Sequence, residues 1–99
     1  MRTIDEIVPL LQAQKPFLTR EYGVREIGVF GSYLRREQKP DSDLDVLVEF
    51  EPTARIGLIG LVGLENYLSD LLGVKVDLAI RKNLKRRIGE QILKEVVML

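Results

Sequence analysis

Residues 43–50, DLDVLVEF, alternate polar and apolar side chains. Successive side chains of a β-strand point to opposite faces, so Leu44, Val46, Val48 and Phe50 share one face, while Asp43, Asp45, Leu47 and Glu49 share the other. The apolar set needs a core. That commits the segment to a sheet covered on one side and turns the aspartates outward. VKVDLAI at 74–80 repeats the pattern, with Val74, Val76, Leu78 and Ile80 opposite Lys75, Asp77 and Ala79. A third short run, VREIGVF at 24–30, is rich in β-branched and aromatic residues and also reads as a strand.

Helical periods fill the intervals. Thr3 with Glu6 fits a capping box, and Ile4, Ile7, Val8 and Leu11 follow at helical spacing, so a helix starts near residue 3. Pro9 is expected to kink it, Pro16 to open a second short helix running to about Tyr22, and Gly23 to supply a left-handed stop. One or two helical turns are expected from Ser32 to Glu37. KPDS at 39–42 has the residues of a tight turn, which accounts for Asp41 and Ser42. After Pro52, the spacing of Ile56, Ile59, Val62, Leu64, Leu68, Leu71 and Leu72 predicts a helix over 56–72. Gly57, Gly60 and Gly63 would form a flat stripe for close packing, and Gly73 would end the helix. Leu84, Ile88, Ile92, Val96 and Leu99 share one face of a last helix capped by Asn83. The expected fold is α/β (α+β), a small mixed three-stranded sheet with four helices, in a single domain over 1–99.

Composition narrows the chemistry. The chain has 99 residues, 45 % hydrophobic and 30 % charged, ordinary for a globular protein. Fifteen basic and fifteen acidic residues cancel, so no global field attracts nucleic acid, which disfavours direct nucleic-acid binding. No apolar run approaches the ~18 residues of a membrane helix, and the N-terminus lacks a secretory core, so no membrane association is expected and the chain reads as cytoplasmic. With no cysteine and no histidine, catalysis would have to run on carboxylates, hydroxyls, Lys, Arg and hard metal ions.

Two aspartates at i and i+2 stand roughly 6–7 Å apart along a strand and repel unless a cation lies between them. Oxygen donors suit Mg²⁺, which completes its shell with waters and substrate phosphate. Asp77, if on a neighbouring strand, adds a third carboxylate, enough to bridge two ions for in-line phosphoryl chemistry. Gly31-Ser32 falls where the first strand gives way to a helical turn, so backbone N–H groups and the Ser32 hydroxyl can face a phosphate. The twelve-residue step from Gly31 to Asp43 allows a reversal that returns Asp43 antiparallel to that strand end. A DxD pair by itself is the ordinary pattern of a solvated strand face. Here it stands with the Gly-Ser turn and a third strand aspartate. Glu49 and Glu51 lie toward the far end of their strand, and Lys82, Lys85, Arg86 and Arg87 read as a solvated helix start, the alternative being contact with phosphate or an acidic partner.

Gly31-Ser32, ten residues, Asp43-Leu44-Asp45 and a later strand aspartate, Asp77, resemble the signature of the nucleotidyltransferase superfamily related to DNA polymerase beta. IGVFGSYLRRE, PDSDLDVLVEF and GVKVDLAI are similar to the minimal nucleotidyltransferases, the MNT or MntA-like antitoxins. The resemblance covers nearly the whole chain. It implies that Asp43, Asp45 and Asp77 are catalytic and hold Mg²⁺, and that Gly31 and Ser32 bind the phosphates of ATP. From their charge alone, Arg35, and after it Arg36, are expected at the nucleotide to neutralise the leaving group, the alternative being plain surface arginines. It further implies transfer of AMP to a tyrosine of a partner HEPN toxin in a hetero-oligomer. Members often read GSxARGE where this chain has GSYLRRE, with Leu34 and Arg36 at the small-residue positions. Alternatives are an antitoxin that only binds its toxin and a small-molecule nucleotidyltransferase, which would need a second domain.

Overall fold

The computed structural model describes residues 2–99. Helix α1, Ile4–Tyr22, leads into strand β1, Val24–Phe30, and a single helical turn, α2, Gly31–Leu34. Strand β2 is Leu44–Phe50, helix α3 Leu58–Leu72, and strand β3 Val76–Ile80. A 3₁₀ turn at Arg81–Asn83, helix α4, Arg86–Glu95, and strand β4, Val97–Met98, complete the chain. The sheet has four strands in the order β3-β2-β1-β4. It is mixed: β1 runs antiparallel to both β2 and β4, and β2 runs parallel to β3.

Several expectations change. The first helix is continuous, although Pro9 and Pro16 lie inside it. Each proline is exposed and removes one donor, while Ile4, Ile7, Leu11 and Leu18 form one buried stripe along the whole length. The sheet gains a strand because the last helix stops at Glu95, so Val96 and Leu99 lie outside its face. Asn83 ends a 3₁₀ turn, and Lys85 is the residue that precedes α4. The glycine stripe is not a packing surface: a Cβ at Gly57 or Gly63 would meet nothing within 4 Å, and at Gly60 only the neighbouring Ile56 side chain. Ile59 is 89 % exposed, so the buried part of α3 begins at Leu64.

One face of the sheet carries the core. Ile7, Leu11 and Leu18 of α1 and Leu64, Leu68 and Leu72 of α3 pack with Ile27, Val29, Leu44, Val46, Val48 and Val76 of the strands. Phe17, Tyr22 and Tyr67 stack with ring centroids 5.1–6.3 Å apart and tie α1 to α3. Helix α3 also blunts the sheet edge. The Val76 amide donates to Ser69 Oγ at 3.0 Å and the Leu78 amide to Glu65 Oε2 at 3.1 Å.

The opposite face holds Asp45, Leu47 and Asp77. Leu47 is buried there, against the expectation of an outward-facing residue, although it lies outside the main core cluster. Its register partner Gly28 explains why: a Cβ on Gly28 would fall 2.7 Å from Met98 Sδ and 2.8 Å from Val96 Cγ2, so the C-terminal segment crosses this face. No helix among the described residues is long and apolar enough to cross a membrane.

Leu68→Ala should cost about 2–5 kcal/mol in urea unfolding. Ile59→Ala should stay within about 0.5 kcal/mol, because little of that side chain is buried.

Candidate active site

The register of three strands assembles the site. Antiparallel pairing sets Phe30, the last residue of β1, opposite Asp45, as the length of the 31–43 connection led one to expect. Parallel pairing sets Asp77 beside Asp45, so the two aspartates project from adjacent strands about 4.8 Å apart onto one face. Asp43 precedes β2 by one residue and is half-buried. Asp45 is also half-buried, and Asp77 is exposed. The connection before Asp43 is a turn closed by reciprocal bonds: the Ser42 amide donates to the Lys39 carbonyl and the Lys39 amide to Ser42 Oγ, both at 2.9 Å.

Gly31 is required twice over. Its φ of +80° lies in the left-handed region, and a Cβ there would sit 2.0 Å from Asp45 Oδ2. The missing side chain thus makes room for the aspartate carboxylate itself. Ser32 follows at the start of α2, partly exposed. Arg35 caps the end of that turn and donates from Nε to Glu37 Oε2 at 3.2 Å and from Nη1 to Glu95 Oε1.

Burial and then the neighbouring charges of Asp77 and Asp43 push the Asp45 carboxyl above the ordinary aspartate value, and only the Arg35 guanidinium draws it back. Anionic charge is therefore in excess around Asp45. Among the described residues no three acidic side chains draw close enough, as they stand, to enclose an ion. Mg²⁺ needs only one or two carboxylates with waters and substrate oxygens, so the all-oxygen donors of Asp45 and Asp77, with Asp43 near, have the right chemistry for it.

The structure separates Arg36 from its neighbour Arg35. Arg36 has a φ of +60°, and its guanidinium forms a two-pronged pair with Asp5 of α1 at 2.7 and 2.8 Å, away from the aspartates. Glu49, at the far end of β2, pairs with Arg81 at 2.7 Å. A hollow of about 470 Å³ lined by Tyr33, Pro40, Asp43, Val74 and Lys75 borders the site. A larger one, about 700 Å³, lies at the other end of β2 and β3 between Phe50, Ile56, Ile80 and Arg81 and contains none of the three aspartates.

Glu95 is the residue that sequence reading did not single out. Its carboxylate oxygen accepts from the Gly31 amide at 3.1 Å as well as from Arg35. The available signal was the β-branched pair Val96-Val97, which could have ended the helix just after Glu95.

Carboxylates on adjacent strands beside a glycine turn suit phosphoryl chemistry, and comparison with known proteins identifies the family. The sequence profile of the nucleotidyltransferase domain matches residues 11–99. The protein adenylyltransferase MntA of Thermococcus cleftensis is 50 % identical over 97 residues, 98 % of this chain and 96 % of that protein. A solved structure, provisionally described as a minimal nucleotidyltransferase, has a TM-score of 0.82 at 35 % identity, covering 99 % of this chain and 97 % of that one. A chain from the complex of the tri-AMPylated Shewanella oneidensis HEPN toxin with its MNT antitoxin shares the fold, with a TM-score of 0.59 at 21 % identity over 95 % of this chain and 66 % of that one. The chain belongs to the nucleotidyltransferase domain family, as an enzyme of the minimal, MntA-like group.

Because the Asp45 carboxyl is raised on folding, the native state takes up a proton between the unfolded and folded values, and stability from this group falls as pH rises through that window. Asp45→Asn should therefore melt a few degrees above the parent at pH 7 in chelator, and the gap should close as pH drops below the ordinary aspartate value. Gly31→Ala should lose at least about 1–2 kcal/mol from its left-handed backbone alone, read by denaturant unfolding.

Proposed function

We propose that this chain is a cytoplasmic protein adenylyltransferase that moves AMP from ATP to a tyrosine hydroxyl of a HEPN-domain partner and so neutralises it as an antitoxin. The observation that carries the chemistry is the Asp45–Asp77 register beside the Gly31 turn. The likeness to the Thermococcus adenylyltransferase supports the adenylyl donor. The fold shared with the Shewanella antitoxin supports the HEPN partner and a hetero-oligomer.

In this reading Gly31, Ser32 and Arg35 bind the triphosphate through the backbone amide, the hydroxyl and the guanidinium. Asp43, Asp45 and Asp77 would hold Mg²⁺, which when bound would neutralise phosphate charge and lower the pKa of the attacking hydroxyl. The tyrosine oxygen attacks the α-phosphorus in line, the bond to the β-phosphate oxygen breaks, and pyrophosphate leaves. Arg35 offsets the charge on that leaving group. Asp77, the most exposed of the three carboxylates, is the one that takes the hydroxyl proton.

Incubation of the chain with ATP, Mg²⁺ and a cognate HEPN partner should add AMP to the partner by intact mass. Asp45→Asn or Asp77→Asn should slow this at least about a hundredfold. Mg²⁺ with ATP at about a hundred times Kd should stabilise the chain by about 2.7 kcal/mol. A partner bound tightly and never modified would overturn the enzymatic reading of this pair.

A further inference from the structure

The two groups best placed to receive a phosphate already hold an anion from the protein. Glu95 is the last residue of α4, and a single carboxylate oxygen accepts both from the Gly31 amide and from Arg35 Nη1. A carboxylate and a phosphate oxygen are equivalent acceptors for an amide and a guanidinium. The Glu95 side chain is 29 % exposed, and its charge adds to the excess that Asp43 and Asp77 impose on Asp45. Glu95 is thus drawn by two donors and repelled by its other neighbours.

We propose that Glu95 is an internal stand-in for nucleotide phosphate. It holds Gly31 and Arg35 until a triphosphate displaces it, and its departure loosens the C-terminal segment. This rests on the nucleotide site assigned under Proposed function. The segment is otherwise held by Leu99 against the core, by Val96 and Met98 over Gly28, and by a short strand pairing. Of the residues of α4, only Gly89 is fully buried. Strand β4 pairs with β1 through Met98 opposite Gly28 and Val97 opposite Val29, followed by the Leu99 amide on the Ile27 carbonyl at 2.9 Å and Lys15 Nζ on the Leu99 carbonyl. Phosphate at the same donors would face the Glu95 carboxylate as a like charge, so both cannot remain. Nucleotide binding and docking of residues 95–99 are then coupled, each opposing the other by the same factor.

Calorimetric titration with Mg²⁺-ATP decides it, using the whole chain and the variants Glu95→Gln, Glu95→Ala and Glu90→Gln. Removing the competitor should tighten Kd by roughly three- to tenfold in both Glu95 variants, as expected when a binding-competent state no longer has to be selected. Glu90→Gln, on the same helix but paired only with Arg86, should leave Kd unchanged. In the parent chain, saturating Mg²⁺-ATP should shift the Gly31 amide resonance and speed hydrogen exchange at Val97–Leu99; this arm stands alone if the variants fail to fold. Weaker binding in Glu95→Gln would make Glu95 a positioning residue for Arg35 and overturn the proposal. Unchanged Kd, or C-terminal amides that keep their protection with nucleotide bound, would also overturn it, while leaving the transferase reading intact. A parent chain that binds no Mg²⁺-ATP would defeat that reading first and this proposal with it.

Discussion

The site exists because β2 and β3 pair in one particular register. Side chains alternate with a period of two, so a slip of one residue would carry Asp77 to the core face and bring Leu78 or Val76 to the face that carries the aspartates. Both strands therefore have a strongly specified pairing: Leu44, Val46 and Val48 must enter the same core as Val76. The Leu44 amide on the Lys75 carbonyl at 2.8 Å fixes where the ladder begins. The packing that stabilises the domain is thus the same packing that holds two carboxylates side by side on the other face. Stability and chemistry share one constraint, and the charge repulsion at Asp45 is the part of that arrangement working against folding.

How much of this was legible in the chain depends on the range of the interaction. Period-two patterning exposed the three longer strands and assigned Asp45 and Asp77 to the same kind of face, and the Gly31-Ser32 turn was legible because strand and turn chemistry are local. Residue rules misled where burial outweighed them. Pro9 and Pro16 each cost about 3 kcal/mol in a helix interior, yet each fully buried Ile or Leu along α1 returns about 1.5–3 kcal/mol, and the stripe spans both prolines. Strand β4 was hidden because Leu84, Ile88, Ile92 and Val96 keep a spacing of four that continues the helical period past the true end at Glu95. The Glu95 contact to Gly31 joins residues 64 apart, and nothing in local pattern encodes it.

Arg36 shows how one substitution can rely on another part of the fold. The position is left-handed, φ +60°, and glycine occupies such backbone without steric conflict. This chain carries arginine, and the strain is set against a forked pair to Asp5 in the first turn of α1. The motif thereby gains a tether to the N-terminal helix, and the neighbouring Arg35 is left to face the carboxylates. The departure from the usual signature changes what supports the loop and leaves the aspartate geometry in place.

The bonds from Ser69 and Glu65 to the outer amides of β3 reach beyond the strand they protect. Those donors are already satisfied, so a foreign β-strand laid along that flank would find no ladder to join. The border beside Val97 and Met98 carries no such side-chain cover among the described hydrogen bonds. An added strand there would lie next to the same short C-terminal segment that Glu95 fastens to the Gly31 turn.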